Sequence, residues 1–300
     1  MSADSGANLL TVAGIPFIHE GGDGVQLPDR ITPTWRGGRI VDAPIRVHHS
    51  VGDTSASGLE PLLDAPIALG EYYLDAADDV AIRSRATQLP GYRPQLLRTR
   101  RRGFDYAMRY EDPSDSLRLQ WGWHRTIFML ALPLRARGLT VHAAGLLVSG
   151  GAGVLCPGIS GAGKSTLARL LKTHAPDDVR VLGDDRIALT VESAGLHMWG
   201  TPWHSSAGTA LADDGALGAI VFIAHGDGAR LAPLPPGVAL RRLLRAVGLP
   251  FWDRSGTDFA LRLIERMIVE VPCFEFTYAP TPDAAAKLVD GMRSLPTSGR

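Results

Sequence analysis

Apolar residues are spaced in two different ways along this chain, and the change of spacing divides it. Up to about residue 115 they fall in short β-branched or aromatic runs, Leu9 to Phe17, Arg39 to Val47 and Glu71 to Ile82, punctuated by Gly, Pro and Asp. That spacing predicts a β-rich region, with Gly21-Gly22-Asp23-Gly24 and Gly52 to Gly58 as surface loops. Leu96 to Tyr110 and Asp115 to Trp121 predict a hairpin around Glu111-Asp112-Pro113-Ser114. Trp123 to Arg137 carries apolar residues at helical spacing, with Gly138 placed as a C-cap.

From Thr140 the runs lengthen and alternate with helices. Thr140 to Val148 predicts a strand, 149–153 a tight turn, and Val154-Leu155-Cys156 the returning strand. A helical stretch follows, closing near His174 and Pro176. Val179 to Leu182 predicts a strand that resumes as Ile187 to Val191, and Leu196 to Trp203 follows a turn at Ser193-Ala194-Gly195. Ala219 to Ala224 reads as a buried strand, Val238 to Val247 and Thr257 to Val269 as helices, Cys273 to Tyr278 as a strand and Pro282 to Met292 as a last helix. Strands and helices in this order predict an α/β domain over 116–300, with a smaller β-rich domain at 1–115. Three hundred residues suit two domains or one elaborated one.

Between the returning strand and its helix stands Gly158-Ile159-Ser160-Gly161-Ala162-Gly163-Lys164-Ser165, followed by Thr166. It fits the phosphate-loop pattern G-x-x-x-x-G-K-[ST] at every fixed position and lies in the strand–loop–helix context the pattern needs. Glycines let successive N–H groups turn inward around phosphate oxygens, helped by the positive end of the helix. Lys164 is placed to reach the β- and γ-phosphates and Ser165 to hold Mg²⁺. The chain has only three lysines, Lys164, Lys172 and Lys287, and one falls where such a loop needs it. ATP and Mg²⁺ are therefore the expected ligands.

Composition narrows the partners. Acidic and basic residues balance at 31 each, so net charge points neither to nucleic acid nor to an acidic membrane surface. The longest apolar run near the middle, Ile127 to Leu134, is too short to span a bilayer, and Met1 to Asn8 lacks the basic start of a signal peptide. Cys156 and Cys273 sit in apolar runs and read as small buried hydrophobes, so a reducing cytoplasm is the expected compartment. The Arg98, Arg100, Arg101, Arg102 cluster reads as a solvated strand face, or as a grip on an acidic or phosphorylated partner.

Asp184-Asp185 stands twenty residues after Lys164, at the end of an apolar strand. A phosphate loop needs acids for two tasks, completing a Mg²⁺ shell and accepting a proton from an attacking hydroxyl. Adjacent aspartates on a strand point to different sides and can divide that work. His142, on the strand leading toward the loop, is the third member, where a neutral imidazole can orient a carboxylate.

The order of strand with His142, glycine-turn hairpin, G-x-S-G-x-G-K-S loop, helix and Asp-Asp strand resembles HPr kinase/phosphorylase. It is more similar to the related bacterial serine kinases, including those acting on lasso-peptide precursors. Gly200-Thr201-Pro202-Trp203 and Val271 to Phe276 with Ala279-Pro280 add to the likeness, which covers about residues 120–295. The resemblance implies a mixed-sheet core like that of ATP-dependent phosphoenolpyruvate carboxykinase, and a homo-oligomer. It implies Asp184 as base with His142 as its partner, Asp185 as the metal-side acid beside Ser165, and transfer from ATP to a Ser/Thr-type hydroxyl of a peptide, protein or small metabolite. Where the family carries Leu-Glu-x-Arg-Gly-Leu-Gly, this chain has Leu196 to Pro202 with His197 at the glutamate. HPr is thereby disfavoured as acceptor, and His197 supports an alternative, a catalytically weak nucleotide-binding regulator. Gly200 to His204 is a candidate acceptor wall, with Trp203 either a flat apolar face for substrate or part of the core. The N-terminal region is left to select the substrate.

Overall fold

The computed structural model describes residues 10–20, 35, 40–63, 70–75, 79–84, 93, 95–100, 103–112, 116–150 and 153–295, with 116–122 described by backbone alone. Two compact units emerge, one of 1–135 with 250–255 and one of 136–249 with 256–300. Together they hold two mixed sheets and, among the described residues, five helices.

The first unit contains β1 (Leu10–Val12), β2 (Ile15–Glu20), β3 (Ile45–Val51), β4 (Glu60–Pro61), β5 (Gly70–Leu74), β6 (Val80–Ser84), β7 (Leu96–Arg100) and β8 (Asp105–Tyr110). They form one sheet in the order β1-β2-β3-β8-β7-β6-β5-β4. The β2–β3 and β3–β8 pairs are parallel and the others antiparallel. Alternation explains β3, where Ile45, Val47 and His49 are buried while Arg46, His48 and Ser50 face out. Helix α1 (Ser116–Leu134) belongs to this unit, with Phe128 of the helix against Phe17 of β2 at 6.1 Å between ring centroids. The division drawn at 115/116 from the sequence assigns that helix to the second domain, because a helix shows in sequence that it has an apolar face but not which sheet the face covers.

Two local expectations are corrected here. The hairpin closes between Arg100 and Asp105 rather than around 111–114, and Ser116 onward is helical. Gly138 is not a cap but the first residue of the next strand. A Cβ there would stand 2.0 Å from the Leu189 carbonyl oxygen, so close backbone approach is what requires glycine. In the basic cluster, the half-buried Arg98 and Arg100 pair with Asp75 at 3.1 and 3.3 Å, and Arg100 with Asp79 at 3.4 Å. Arg101, Arg102 and the Gly21–Gly24 stretch lie outside the described residues.

The second unit runs β9 (Gly138–Val148), β10 (Gly153–Pro157), α2 (Lys164–His174), β11 (Val179–Gly183), β12 (Arg186–Glu192), β13 (Gly195–Trp199), β14 (Asp214–His225), β15 (Arg230–Pro233), α3 (Pro236–Leu244), α4 (Arg254–Glu270), β16 (Cys273–Tyr278) and α5 (Pro282–Arg293). Strand order is β10-β9-β12-β13-β14-β16-β15, with β11 also on β9 and β14 also on β10. The β10–β14 and β14–β16 pairs are parallel and the rest antiparallel.

Strand alternation sorts the apolar residues into two cores. On β10, Val154 and Cys156 join one core while Leu155 joins the other; on β14, Ala219, Val221 and Ile223 alternate with Ile220 and Phe222 in the same way. Leu167 and Leu171 of α2 with Leu288 and Met292 of α5 close the first core. Leu243 of α3 with Leu263 and Met267 of α4 close the second. Both cysteines are free and buried, as their apolar settings lead one to expect. Among the described residues, no helix is long and apolar enough to cross a membrane.

Candidate functional site

The site builds from the end of β10. Pro157 ends the strand, 158–163 form the glycine-rich loop, and Lys164 opens α2. Gly163 takes a left-handed φ of 95° at the helix start, a conformation that favours glycine. No side chain caps this end, so the N–H groups of the first turn remain donors for an external acceptor. Ser160 and Gly161 are exposed, Gly158, Ala162, Ser165 and Thr166 partly so.

Lys164 is buried and folds back over its own loop, its Nζ donating to the Gly158 and Ile159 carbonyls at 2.8 and 2.9 Å. Burial lowers its pKa from the ordinary lysine value, while the negative charge of Asp185 works in the opposite direction. An ammonium satisfied only by two neutral carbonyls is held ready for an anion.

His142 on β9 reaches the same place from one flank. Its carbonyl accepts from the Gly158 N–H at 3.0 Å, and its Nε2 stands 3.2 Å from Asp185 Oδ1. Arg186 donates to the same carboxylate oxygen at 3.2 Å. Register places these groups, since Arg186 lies opposite His142 across β9 and β12. Burial is the chief cause lowering the His142 pKa below 6.5, against the raising effect of the Asp185 hydrogen bond, so the ring is held neutral.

The structure corrects the pairing implied by the resemblance. Asp184 is fully buried, and its Oδ1 and Oδ2 accept from the Ser205 and Ala207 N–H groups, both at 3.0 Å. The two aspartates occupy the bend between β11 and β12, and of the pair it is Asp185 that turns toward the imidazole.

Other sequence candidates are placed differently. Trp203 is only 3 % exposed, which selects the core reading over an open apolar wall. Neighbouring His204 is exposed and hydrogen-bonds through Nδ1 to the Ser205 carbonyl at 3.1 Å. His197 on β13 lies opposite Thr190, four positions along β12 from Arg186, or roughly 13 Å at the rise of a strand. Its Nε2 stands 3.2 Å from Asp214 instead. The position held in doubt for its missing glutamate is thus remote from the His142–Asp185 pair.

Two residues beside the loop escaped the sequence reading. Tyr278, at the end of β16, points its hydroxyl at the Gly163 carbonyl at 3.4 Å, and burial pushes its pKa up to about 12. His225 ends β14, opposite Tyr278. The available signal was the buried strand Ala219 to Ala224: a strand parallel to β10 brings its carboxyl end to the loop.

No cluster of three or more His, Cys, Asp or Glu suited to a metal occurs among the described residues. Magnesium does not need one, since it takes one or two protein oxygens and completes its shell with phosphates and water. The partly exposed Ser165 hydroxyl beside Lys164 fits that sparse set.

No family model matches the chain, and no curated protein matches it. Among solved structures, the HPr(Ser) kinase/phosphatase from Coxiella burnetii aligns with 50% of this chain and 85% of its own, at 14% identity and a TM-score of 0.26.

Proposed function

We infer that this protein is an ATP-dependent kinase that moves the γ-phosphoryl group to a Ser/Thr-type hydroxyl of a peptide, protein or small metabolite other than HPr. The observation that carries the reading is the convergence of the glycine-rich loop, the buried Lys164 and the His142–Asp185 pair beyond the carboxyl end of β10, where β9 runs past it. Taken alone, a glycine-rich loop before a helix serves many functions. A proton-accepting pair beside it is what a transfer reaction requires.

In this reading the loop N–H groups and the first turn of α2 bind phosphate oxygens. Lys164 gives up its loop carbonyls for the β- and γ-phosphates and stabilises charge as it develops there. The Ser165 hydroxyl holds Mg²⁺, which when bound neutralises phosphate charge. The acceptor hydroxyl forms the new O–P bond as the bond to the β-phosphate oxygen breaks, and Asp185 takes its proton. Neutral His142 donates Nε2–H to Asp185 and fixes the carboxylate's direction. Asp184 is a positioning residue that holds Ser205 and Ala207.

The test is to incubate the protein with Mg²⁺ and labelled ATP, with and without extract of the source cells. Expected is ADP formation with label on a Ser- or Thr-bearing acceptor, abolished by Asp185→Asn. Equal labelling by wild type and Asp185→Asn would remove Asp185 from the chemistry. No ADP under any condition would favour a regulator that binds nucleotide without turning it over.

A further inference from the structure

The loop strand β10 has a neighbour on each side, β9 carrying His142 and parallel β14 ending in His225. Adjacent strands lie about 4.8 Å apart, so the two histidine-bearing strands flank the loop at roughly 10 Å from each other. Only the β9 flank carries the His142–Asp185 pair. The β14 flank offers different chemistry, an exposed imidazole followed by Gly226-Asp227-Gly228, with Asp227 also exposed.

This flank is built rather than incidental. His225 and Tyr278 are register partners on the parallel strands β14 and β16, and Gly226 N–H donates to the Tyr278 carbonyl at 3.3 Å. A methyl group added at Gly163 would stand 3.2 Å from Ile223 Cγ2, 3.4 Å from His225 Cε1 and 3.7 Å from the Tyr278 hydroxyl. The imidazole edge therefore abuts the last residue before α2. Parallel strands bind ligands in the crevice beyond their carboxyl ends, and β10, β14 and β16 all end here.

We propose that His225 is a nucleoside-contacting, specificity-determining residue, meeting the purine–ribose half of the nucleotide on the flank opposite Asp185. The proposal rests on the kinase reading above. The proton-accepting pair fixes the γ-phosphate end on the β9 side. The chain of phosphates then crosses the loop and delivers the nucleoside to the β14 side. An imidazole there offers a flat ring to stack on a base, and the Asp227 carboxylate suits a ribose hydroxyl.

Two probes separate the halves of the ligand: MgATP and inorganic tripolyphosphate with Mg²⁺, each titrated calorimetrically into wild type and His225→Ala. Loss of one stacked contact corresponds to about a tenfold rise in Kd for ATP. Tripolyphosphate, which has no nucleoside, should bind both proteins within about twofold. A matching loss for both probes would make His225 a phosphate or structural residue and overturn the assignment. Unchanged ATP affinity would overturn it too. Wild type that binds neither probe would overturn the nucleotide reading itself, an outcome distinct from either.

Discussion

His142 Nε2 stands 3.2 Å from Asp185 Oδ1, while the adjacent Asp184 turns both carboxylate oxygens onto backbone N–H groups of the 205–207 loop. Two neighbouring aspartates thus have different work. One faces an imidazole at the edge of the glycine-rich loop, and the other is a buried anchor with no exposed surface.

Asp185→Asn is expected to bind MgATP as wild type does and to lose transfer by about 10²–10⁴-fold, the usual weight of a general base. Because burial lowers the His142 pKa below 6.5, the neutral ring persists under mildly acidic conditions and wild-type transfer should fall only below pH 6.5. A pH–rate profile checks this. A limb centred above pH 7 would contradict a neutral His142.

Asp184→Ala removes the acceptor for the Ser205 and Ala207 N–H groups. Charge-assisted bonds of this kind are worth about 1.5–3 kcal/mol each, so the loop should open and its amides exchange faster. Hydrogen exchange at Ser205 and Ala207 reads the effect directly. Unchanged protection at both would show that other contacts hold the loop.

Much of this was legible in the sequence, for physical reasons particular to each element. The β9–β10 hairpin and β16 follow from short apolar runs bounded by turn residues and α2 from period-3.6 spacing, and the described bounds agree with that reading to within a few residues. What stayed hidden depends on register. Nothing local in Gly-Asp-Asp-Arg says which aspartate meets His142; that is decided by Arg186 pairing with His142 across β9 and β12. Trp203 could be wall or core until burial decided, and Gly138 looks like a helix cap until Leu189 is seen against it.

Trp203→Ala should act on stability rather than on acceptor choice. Truncating a large buried aromatic costs about 3–5 kcal/mol. A lowered thermal midpoint, with acceptor KM unchanged in the surviving folded fraction, is the expected result. A raised KM at an unaltered midpoint would return Trp203 to the substrate.

The first unit should be acid-sensitive through a cluster of buried and half-buried histidines. His19 Nδ1 lies 2.9 Å from His49 Nε2, and His19 Nε2 lies 3.1 Å from His124 Nε2. Burial is the chief cause lowering His49 to about 4 and His19 to about 2 from an ordinary 6.5, with neighbouring histidines adding to it. These groups take protons more readily unfolded than folded. Their contribution is present above pH 6.5 and is lost as pH falls from there toward 4. The slope is about 1.4 kcal/mol per pH unit for each histidine that protonates only on unfolding. Denaturant melts between pH 7 and 4 should show it, and His19→Gln, which cannot titrate, should flatten the dependence. An equal slope in both proteins would place the acid sensitivity elsewhere.

Nucleotide binding through Lys164 is the step on which the others depend. Calorimetric titration of MgATP into wild type and Lys164→Ala tests it most directly, with a melting curve to confirm that both are folded. Wild type should bind. Lys164→Ala should bind at least tenfold more weakly, since a charge-assisted contact is worth about 1.5–3 kcal/mol. A folded wild type that gives no heat with MgATP, or a folded Lys164→Ala that binds as tightly as wild type, would contradict the nucleotide site.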